Sequence, residues 1–152
     1  MSQLLEEILS KDNMIRAYKK VKANKGTCGA DGVGMDEIDD HLRKNWKTIK
    51  EENRNRKYRP QPVRRVEIPK PNGGVRNLGI PTVVDRIIEQ AIVQVLTPIV
   101  EPHFSEHSYG FRPGRRAQQA IVELLEYFKD GYTYIVDIDL EKFFDNVPQD
   151  KL

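Results

Sequence analysis

The residues best placed to do chemistry are two aspartates, Asp137 and Asp139, in the run Tyr134-Ile135-Val136-Asp137-Ile138-Asp139-Leu140-Glu141-Lys142-Phe143-Phe144-Asp145. The run is apolar up to the acids, which predicts a strand. Alternate side chains of a strand share a face, so Tyr134, Val136, Ile138 and Leu140 would line one side and Ile135, Asp137 and Asp139 the other. Two neighbouring carboxylates are costly to bury unless a positive charge neutralises them, and a hard divalent cation such as Mg2+ suits them. Asp137 lies about 6.5 Å behind Asp139 along an ideal strand, which fits a supporting acid better than a second ligand. The plainer alternative for an isolated Asp-x-Asp is a turn or a helix cap.

Such a strand needs elements to deliver it. Ala117, Ala120, Ile121, Leu124, Leu125 and Phe128 recur at the helical period, and Gly131 is placed to stop that helix just before the aspartate run. Upstream, residues 63–69 and 75–80 flank Pro71-Asn72-Gly73-Gly74, a turn composition between paired strands. Thr82 and Asp85 resemble a capping box; Val84, Ile88, Ala91 and Val95, widened by Ile87, Ile92 and Leu96, predict a helix to about residue 100 at the centre of the core. Nearer the N-terminus, Leu4, Leu5 and Ile8, then Ile15, Tyr18 and Val21, mark two short amphipathic helices ending near Gly26. After a glycine-rich loop, Ile38, Leu42, Trp46 and Ile49 mark a third helix, from about 35 to 52.

The charge is unevenly placed. Residues 54–76 carry eight Arg and Lys against one acid, Glu67, a local charge of +7 in a chain whose net charge is +2. That asymmetry points to a polyanion. The stretch is interleaved with Tyr58, Pro60, Pro62, Val63, Val66 and Ile68, which a merely solvated tail has no reason to carry. Lys19, Lys20, Lys22 and Lys25 on the second helix suit a nucleic-acid backbone or a plain solvated face. A second cluster, residues 108–116, joins Tyr109 and Phe111 to Arg112, Arg115 and Arg116, a mixture that can stack on bases and pair with phosphates. Its plainer alternative is a structured loop in which Arg112 pairs with an internal carboxylate.

Three blocks together carry a family resemblance. Asp139 is followed five residues later by Phe144 and six later by Asp145; Arg64-Arg65-Val66-Glu67-Ile68-Pro69-Lys70-Pro71-Asn72-Gly73-Gly74-Val75-Arg76-Asn77-Leu78-Gly79-Ile80-Pro81 and His107-Ser108-Tyr109-Gly110-Phe111-Arg112-Pro113-Gly114-Arg115 precede it. In order and spacing this resembles group II intron-encoded reverse transcriptases and maturases, from about Asn13 onward. The resemblance implies an α+β fold: mostly helical fingers with a basic β-hairpin (1–131), leading into the first strand of a right-hand polymerase palm (132–152).

It also implies roles. Asp139, helped by the carbonyl of Leu140, would bind catalytic Mg2+, with Mn2+ possible. Lys70 and Arg76 would hold the incoming nucleoside triphosphate, and Phe144 would pack under its sugar. Arg64, Arg65, Tyr109, Arg112, Arg115 and Arg116 would hold RNA template, although Arg64 and Arg65 must point to opposite faces of one strand. Two metal ions about 3.5 to 4 Å apart can stabilise the attacking and leaving oxygens of phosphoryl transfer. The second acidic motif of that family, usually Tyr-x-Asp-Asp, is not found in these 152 residues. The expectation is therefore an N-terminal piece that binds RNA in a salt-sensitive way and extends no primer alone. Its partners would be RNA template, group II intron RNA among them, with primer and nucleotide in the full protein, and a complementing C-terminal part or a second copy.

Two other classes stay open: a haloacid-dehalogenase-type phosphohydrolase, whose Asp-x-Asp ends an apolar strand but is usually followed by a small residue where Glu141 stands, and a non-catalytic RNA-binding maturase fragment. A single cysteine, Cys28, excludes an internal disulfide and fits a reducing, cytoplasmic setting. No segment approaches the roughly 20 apolar residues of a membrane span. Glu6 and Glu7 stand where a secretory signal would be basic. His103 and His107 have the spacing of a helical metal pair, but Pro102 and the lone cysteine leave no zinc set.

Overall fold

The structure, a computed structural model, describes residues 3–140. They form two compact units, divided after His103, and each has its own character.

The first unit is built around helix α4, Val83–Val100, with α1 at Gln3–Ile8, α2 at Lys11–Ala23 and α3 at Ile38–Arg54. The 3.6-residue repeat of α4 works as expected: Val83, Val84, Ile87, Ile88, Ala91 and Val95 are all buried. They meet Met14, Ala17 and Val21 of α2 and Ile38 and Ile49 of α3 in one apolar cluster, with Leu42 and Trp46 packed at its edge. Ser10 caps α2 by accepting from the backbone N–H of Asn13. At the head of α4 the expected box forms, with Thr82 Oγ1 accepting from the Asp85 N–H at 3.1 Å and donating to Asp85 Oδ2 at 2.6 Å.

A polar knot joins three of these helices. The buried amide of Asn13 donates to the carbonyls of Ile8 and Ala91, both at 2.9 Å, and its oxygen accepts from Gln94 at 2.8 Å and Arg16 at 3.2 Å. At the surface, Tyr18 and Lys22 of α2 both bond Asp39 of α3, Lys22 at 2.7 Å. These bonds hold the Asp39 carboxyl below its ordinary range, Lys22 first and Tyr18 second. The glycine-rich loop lies hard against the entry to α4. A β-carbon on Gly29 would stand 2.6 Å from the Thr82 Cα, so only glycine fits.

Strands β1, Arg64–Pro69, and β2, Val75–Ile80, pair antiparallel in the register Arg64↔Ile80, Val66↔Leu78, Ile68↔Arg76 and Pro69↔Val75. Gly73 and Gly74 both take positive φ, and the Gly73 N–H donates to the Lys70 carbonyl while the Lys70 N–H donates to that of Gly74, each at 3.1 Å. The tip is thus a tight turn, with the two left-handed residues supplied by glycine.

The second unit contains a loop, residues 104–116, and helix α5, Ala117–Lys129. Gly131 stops α5 as its position predicts. It takes φ +94°, and the N–H groups of Gly131 and Tyr132 return to the carbonyls of Phe128 and Tyr127, the paired closure of a left-handed helix end. No residue of α5 is buried. One expectation needs correction: residues 132–140 form no strand, and Tyr134, Val136 and Ile138 are each more than 80% exposed. A strand exists by hydrogen-bonding to another, and among the described residues the hairpin is the sheet; no strand pairs with 134–140. The shared face proposed for Asp137 and Asp139 is therefore not formed.

Candidate nucleic-acid interface and aspartate site

The hairpin register sorts its cations. Arg64, Val66 and Ile68 share a face with their partners Ile80, Leu78 and Arg76, while Arg65 lies on the other with Glu67. Arg64 is the one drawn inward: its Nη2 donates to Thr27 Oγ1 at 2.9 Å, and its Nε is buried without a hydrogen-bond partner. Arg86 reaches the same loop, donating to the Thr27 carbonyl. Arg64 thus ties the ribbon to the glycine-rich loop. Arg65, Lys70 and Arg76 are exposed and have no hydrogen bond or ion pair from their side chains among the described residues.

The basic stretch before β1 is anchored by a carboxylate that the sequence marks only as a helix cap. Buried Asp85 accepts from Tyr58 Oη at 2.6 Å and from the Gln61 N–H at 3.2 Å, besides Thr82. Three donors and the positive end of α4 stabilise its charge. Burial and then the neighbouring Asp85 push the Tyr58 hydroxyl well above its ordinary range, so it remains a donor. Tyr58 and Gln61 fix the approach of the chain to the ribbon.

In the second unit the Arg-aromatic block is organised around Glu123 of α5, which sequence reasoning missed. Its Oε1 meets His107 Nδ1 and accepts from Tyr127 Oη at 3.0 Å, while its Oε2 accepts from Tyr109 Oη. The Tyr109 bond is the first cause holding the Glu123 carboxyl below its ordinary range, and it raises the Tyr109 hydroxyl in turn. The signal available was Glu123 standing inside an apolar repeat. Tyr127 also meets Tyr132 edge-to-face at 5.9 Å.

The arginines of the block differ in use. Arg112 Nη1 donates to the carbonyls of Ser105 at 2.6 Å and Ser108 at 3.0 Å, and its guanidinium lies 5.3 Å from the Phe104 ring centre. These bonds make it an organiser of the loop. Arg115 lies over the Tyr109 ring at 5.6 Å. Arg116 enters α5, where its backbone N–H donates to Gln119 Oε1 at 2.7 Å and its side chain is exposed. Phe111, at the loop's turn, has φ +56° and is completely exposed, an uncommon conformation for an aromatic residue.

Asp139 and Asp137 are exposed, and Asp139 Oδ1 accepts from the Leu140 N–H at 2.9 Å. Among the described residues no three acidic, histidine or cysteine side chains gather as a metal-ligand set. The donor chemistry fits one arm of a divalent-cation site: a carboxylate and the neighbouring Leu140 carbonyl, both hard oxygens. Phe144, expected under the nucleotide sugar, and Asp145 lie outside the described residues.

Comparison with known proteins decides the family. The model for "Reverse transcriptase (RNA-dependent DNA polymerase)" matches residues 68–152. The chain belongs to this reverse transcriptase family. Its similarity to the group II intron type is equally plain. It is 35% identical over 147 residues to Group II intron-encoded protein LtrA of Lactococcus lactis subsp. cremoris, covering 96% of this chain and 24% of that protein. It is 34% identical over 153 residues to Protein YkfC of Escherichia coli (strain K12), covering 97% of this chain and 40% of that protein. Nuclear intron maturase 1, mitochondrial, of Arabidopsis thaliana is 33% identical over 70 residues, 46% of this chain and 10% of that protein. This reverse transcriptase chain thus spans well under half the length of these relatives. Family membership displaces the phosphohydrolase alternative. Among the described residues no helix is long and apolar enough to cross a membrane.

Proposed function

We propose that this chain is the template- and nucleotide-gripping part of a group II intron-type RNA-directed DNA polymerase, its residues 1–131 serving as fingers and 132–152 opening the palm. The observation carrying this reading is that Arg65, Lys70 and Arg76 stand on an exposed ribbon with no ion pair or hydrogen bond from their side chains among the described residues. Three unpaired cations on one small hairpin repel each other and are best neutralised by phosphate. Lys70 and Arg76 flank the tip, where the incoming triphosphate would be held, with Phe144 under its sugar. Arg65, the half-buried Arg115 and the exposed Arg116 suit template phosphates, and Phe111 suits a template base. Tyr109 and Arg112 support the loop that carries Arg115 and Arg116, and Arg64 supports the hairpin through its hold on Thr27.

Asp139 and the Leu140 carbonyl would ligate Mg2+, or Mn2+, which when bound neutralises charge on the reacting phosphates. The chain's own part there is to present that carboxylate after α5. Primer and nucleotide act in the full polymerase, and intron RNA is the RNA partner that the named relatives suggest.

Binding of a labelled single-stranded RNA, followed by fluorescence anisotropy, tests the reading. With four phosphates contacted, raising salt from 50 to 200 mM should weaken binding about 50-fold, from a slope of about 0.7 per contact. Arg76→Ala should flatten that slope by roughly one contact, and Asp139→Ala should leave it unchanged. Affinity insensitive to salt would overturn the proposal.

A further inference from the structure

Glu123 sits on the side of α5 that faces the Arg-aromatic loop, and four groups depend on it in sequence. Its carboxylate receives the Tyr109 hydroxyl on one oxygen and contacts His107 on the other, with Tyr127 from its own helix as a third partner. The ring of Tyr109 is the platform over which the Arg115 guanidinium lies, 5.6 Å from its centre. Arg115 itself has no carboxylate partner among the described residues, so that ring fixes its place. Tyr109 has two torsions; anchoring its hydroxyl removes both. The contact with His107 ties the start of the same loop to the same side chain, while Arg112 closes the interval by gripping the carbonyls of Ser105 and Ser108. Glu123 is 20% exposed at its side chain, low for a unit whose helix buries no residue. A carboxylate placed within reach of a polyanion surface would be a liability if it faced solvent. Here three donors occupy it, and the half-buried Arg115 keeps its charge over the Tyr109 ring without a carboxylate partner among the described residues.

We infer that Glu123 is a positioning residue: it acts through Tyr109 to hold Arg115 where a phosphate of single-stranded RNA can be met. The inference rests on the RNA-binding reading proposed above, and its first test does not need RNA. In the free 152-residue chain, nuclear magnetic resonance should show the Arg115 side-chain protons displaced upfield by the Tyr109 ring current. Glu123→Gln should remove most of that displacement, and so should Tyr109→Phe, which keeps the ring and deletes the hydroxyl. Shifts unchanged in both variants would overturn the positioning role.

The second test uses a labelled single-stranded RNA and a double-mutant cycle. Glu123→Gln and Arg115→Ala should each weaken binding about fivefold and flatten the salt dependence by about one contact. The double variant should be no weaker than Arg115→Ala alone. Full additivity would show that Glu123 acts by some other route and overturn the inference, as would wild-type affinity in Glu123→Gln. Should Glu123→Gln fail to fold by circular dichroism, the cycle is run with Tyr109→Phe, for which the same coupling is expected and additivity is equally fatal. A wild-type chain that binds no RNA at 50 mM salt would overturn the proposed function and, with it, the role given to Arg115; the ring-current shifts would still separate the two failures.

Discussion

Helices α4 and α5 carry the same kind of apolar repeat and end in opposite circumstances. Ile87 and Ala91 of α4 are 2% and 0% exposed, whereas Ile121 and Leu125 of α5 are 56% and 51% exposed. The repeat predicts that a segment is helical and which stripe is apolar; burial needs a second surface to receive that stripe. Helices α1 and α2 supply it for α4. Among the described residues nothing comparable covers α5. The polar groups divide similarly, since Asn13, Gln94 and Asp85 are used up holding the first unit together, while Glu123 gathers a loop that carries Arg115 over Tyr109 and the exposed Arg116.

The largest test of that contrast is a matched pair of truncations. Ile87→Ala should cost about 3 to 4 kcal/mol through lost transfer energy and an unfilled cavity, read from urea denaturation of the 152-residue chain. Leu124→Ala, also removing methyl groups from an apolar helix stripe, should change stability by less than about 0.5 kcal/mol. Comparable losses would mean that α5 is covered in solution and would break the comparison.

Next in size is the polar pair. Asn13→Ala removes the buried side-chain donor to the carbonyls of Ile8 and Ala91 and one of the two bonds from the Gln94 amide, which keeps the Asn13 carbonyl, a cost of about 2 kcal/mol. Gln119→Ala removes only an exposed bond to the Arg116 N–H and should cost no more than about 1 kcal/mol. The same denaturation experiment checks both.

A third test uses pH. Tyr58 in the fold holds its proton more tightly than its ordinary value of 10.0 because of burial and the nearby Asp85. Once the unfolded tyrosine ionises and the folded one does not, unfolding releases a proton. Stability contributed by Tyr58 is therefore fully present below pH 10 and falls as pH rises beyond it. Wild-type chain should lose stability above pH 10 more steeply than Tyr58→Phe; parallel profiles would remove Tyr58 from the explanation.

Much of the first unit was legible because local signals and global packing agree there. Ser10 and Thr82 there, and Gly131 in the second unit, mark helix ends through hydrogen bonds made within a few residues, and Gly73 and Gly74 mark a turn for the same reason. The third helix starts at Ile38 and not at Met35, an ordinary error at an end without a side-chain cap. The failure at residues 132–140 is of another kind. β-propensity describes a residue that suits a sheet, and a sheet is a relation to a second strand that local pattern cannot supply. The site divides likewise. The exposed Arg65, Lys70 and Arg76 follow from charge clustering, but Asp85 and Glu123 owe their importance to partners 14 to 27 residues away. Arg64 and Arg112 show the converse, since two arginines marked for RNA spend donors on Thr27 and on loop carbonyls.

The smallest effect sharpens the contrast between stability and function at one residue. Phe111 holds φ +56° with its ring wholly exposed. A left-handed conformation costs a side-chain-bearing residue roughly 1 kcal/mol, a penalty glycine avoids at some cost in unfolded-state entropy. An aromatic residue that buries nothing and strains its backbone gives the folded chain no benefit, so its ring is best explained by an external partner such as an unstacked base. Phe111→Gly should leave the urea midpoint unchanged or raise it slightly, while weakening single-stranded RNA binding about tenfold, the worth of one stacked base. The salt slope should not change, because no phosphate contact is lost, and this separates Phe111 from Arg115 beside it. A stability loss of the size expected at Ile87 would instead mean that the ring packs against protein in solution, and its exposure would then no longer set it apart from a core residue.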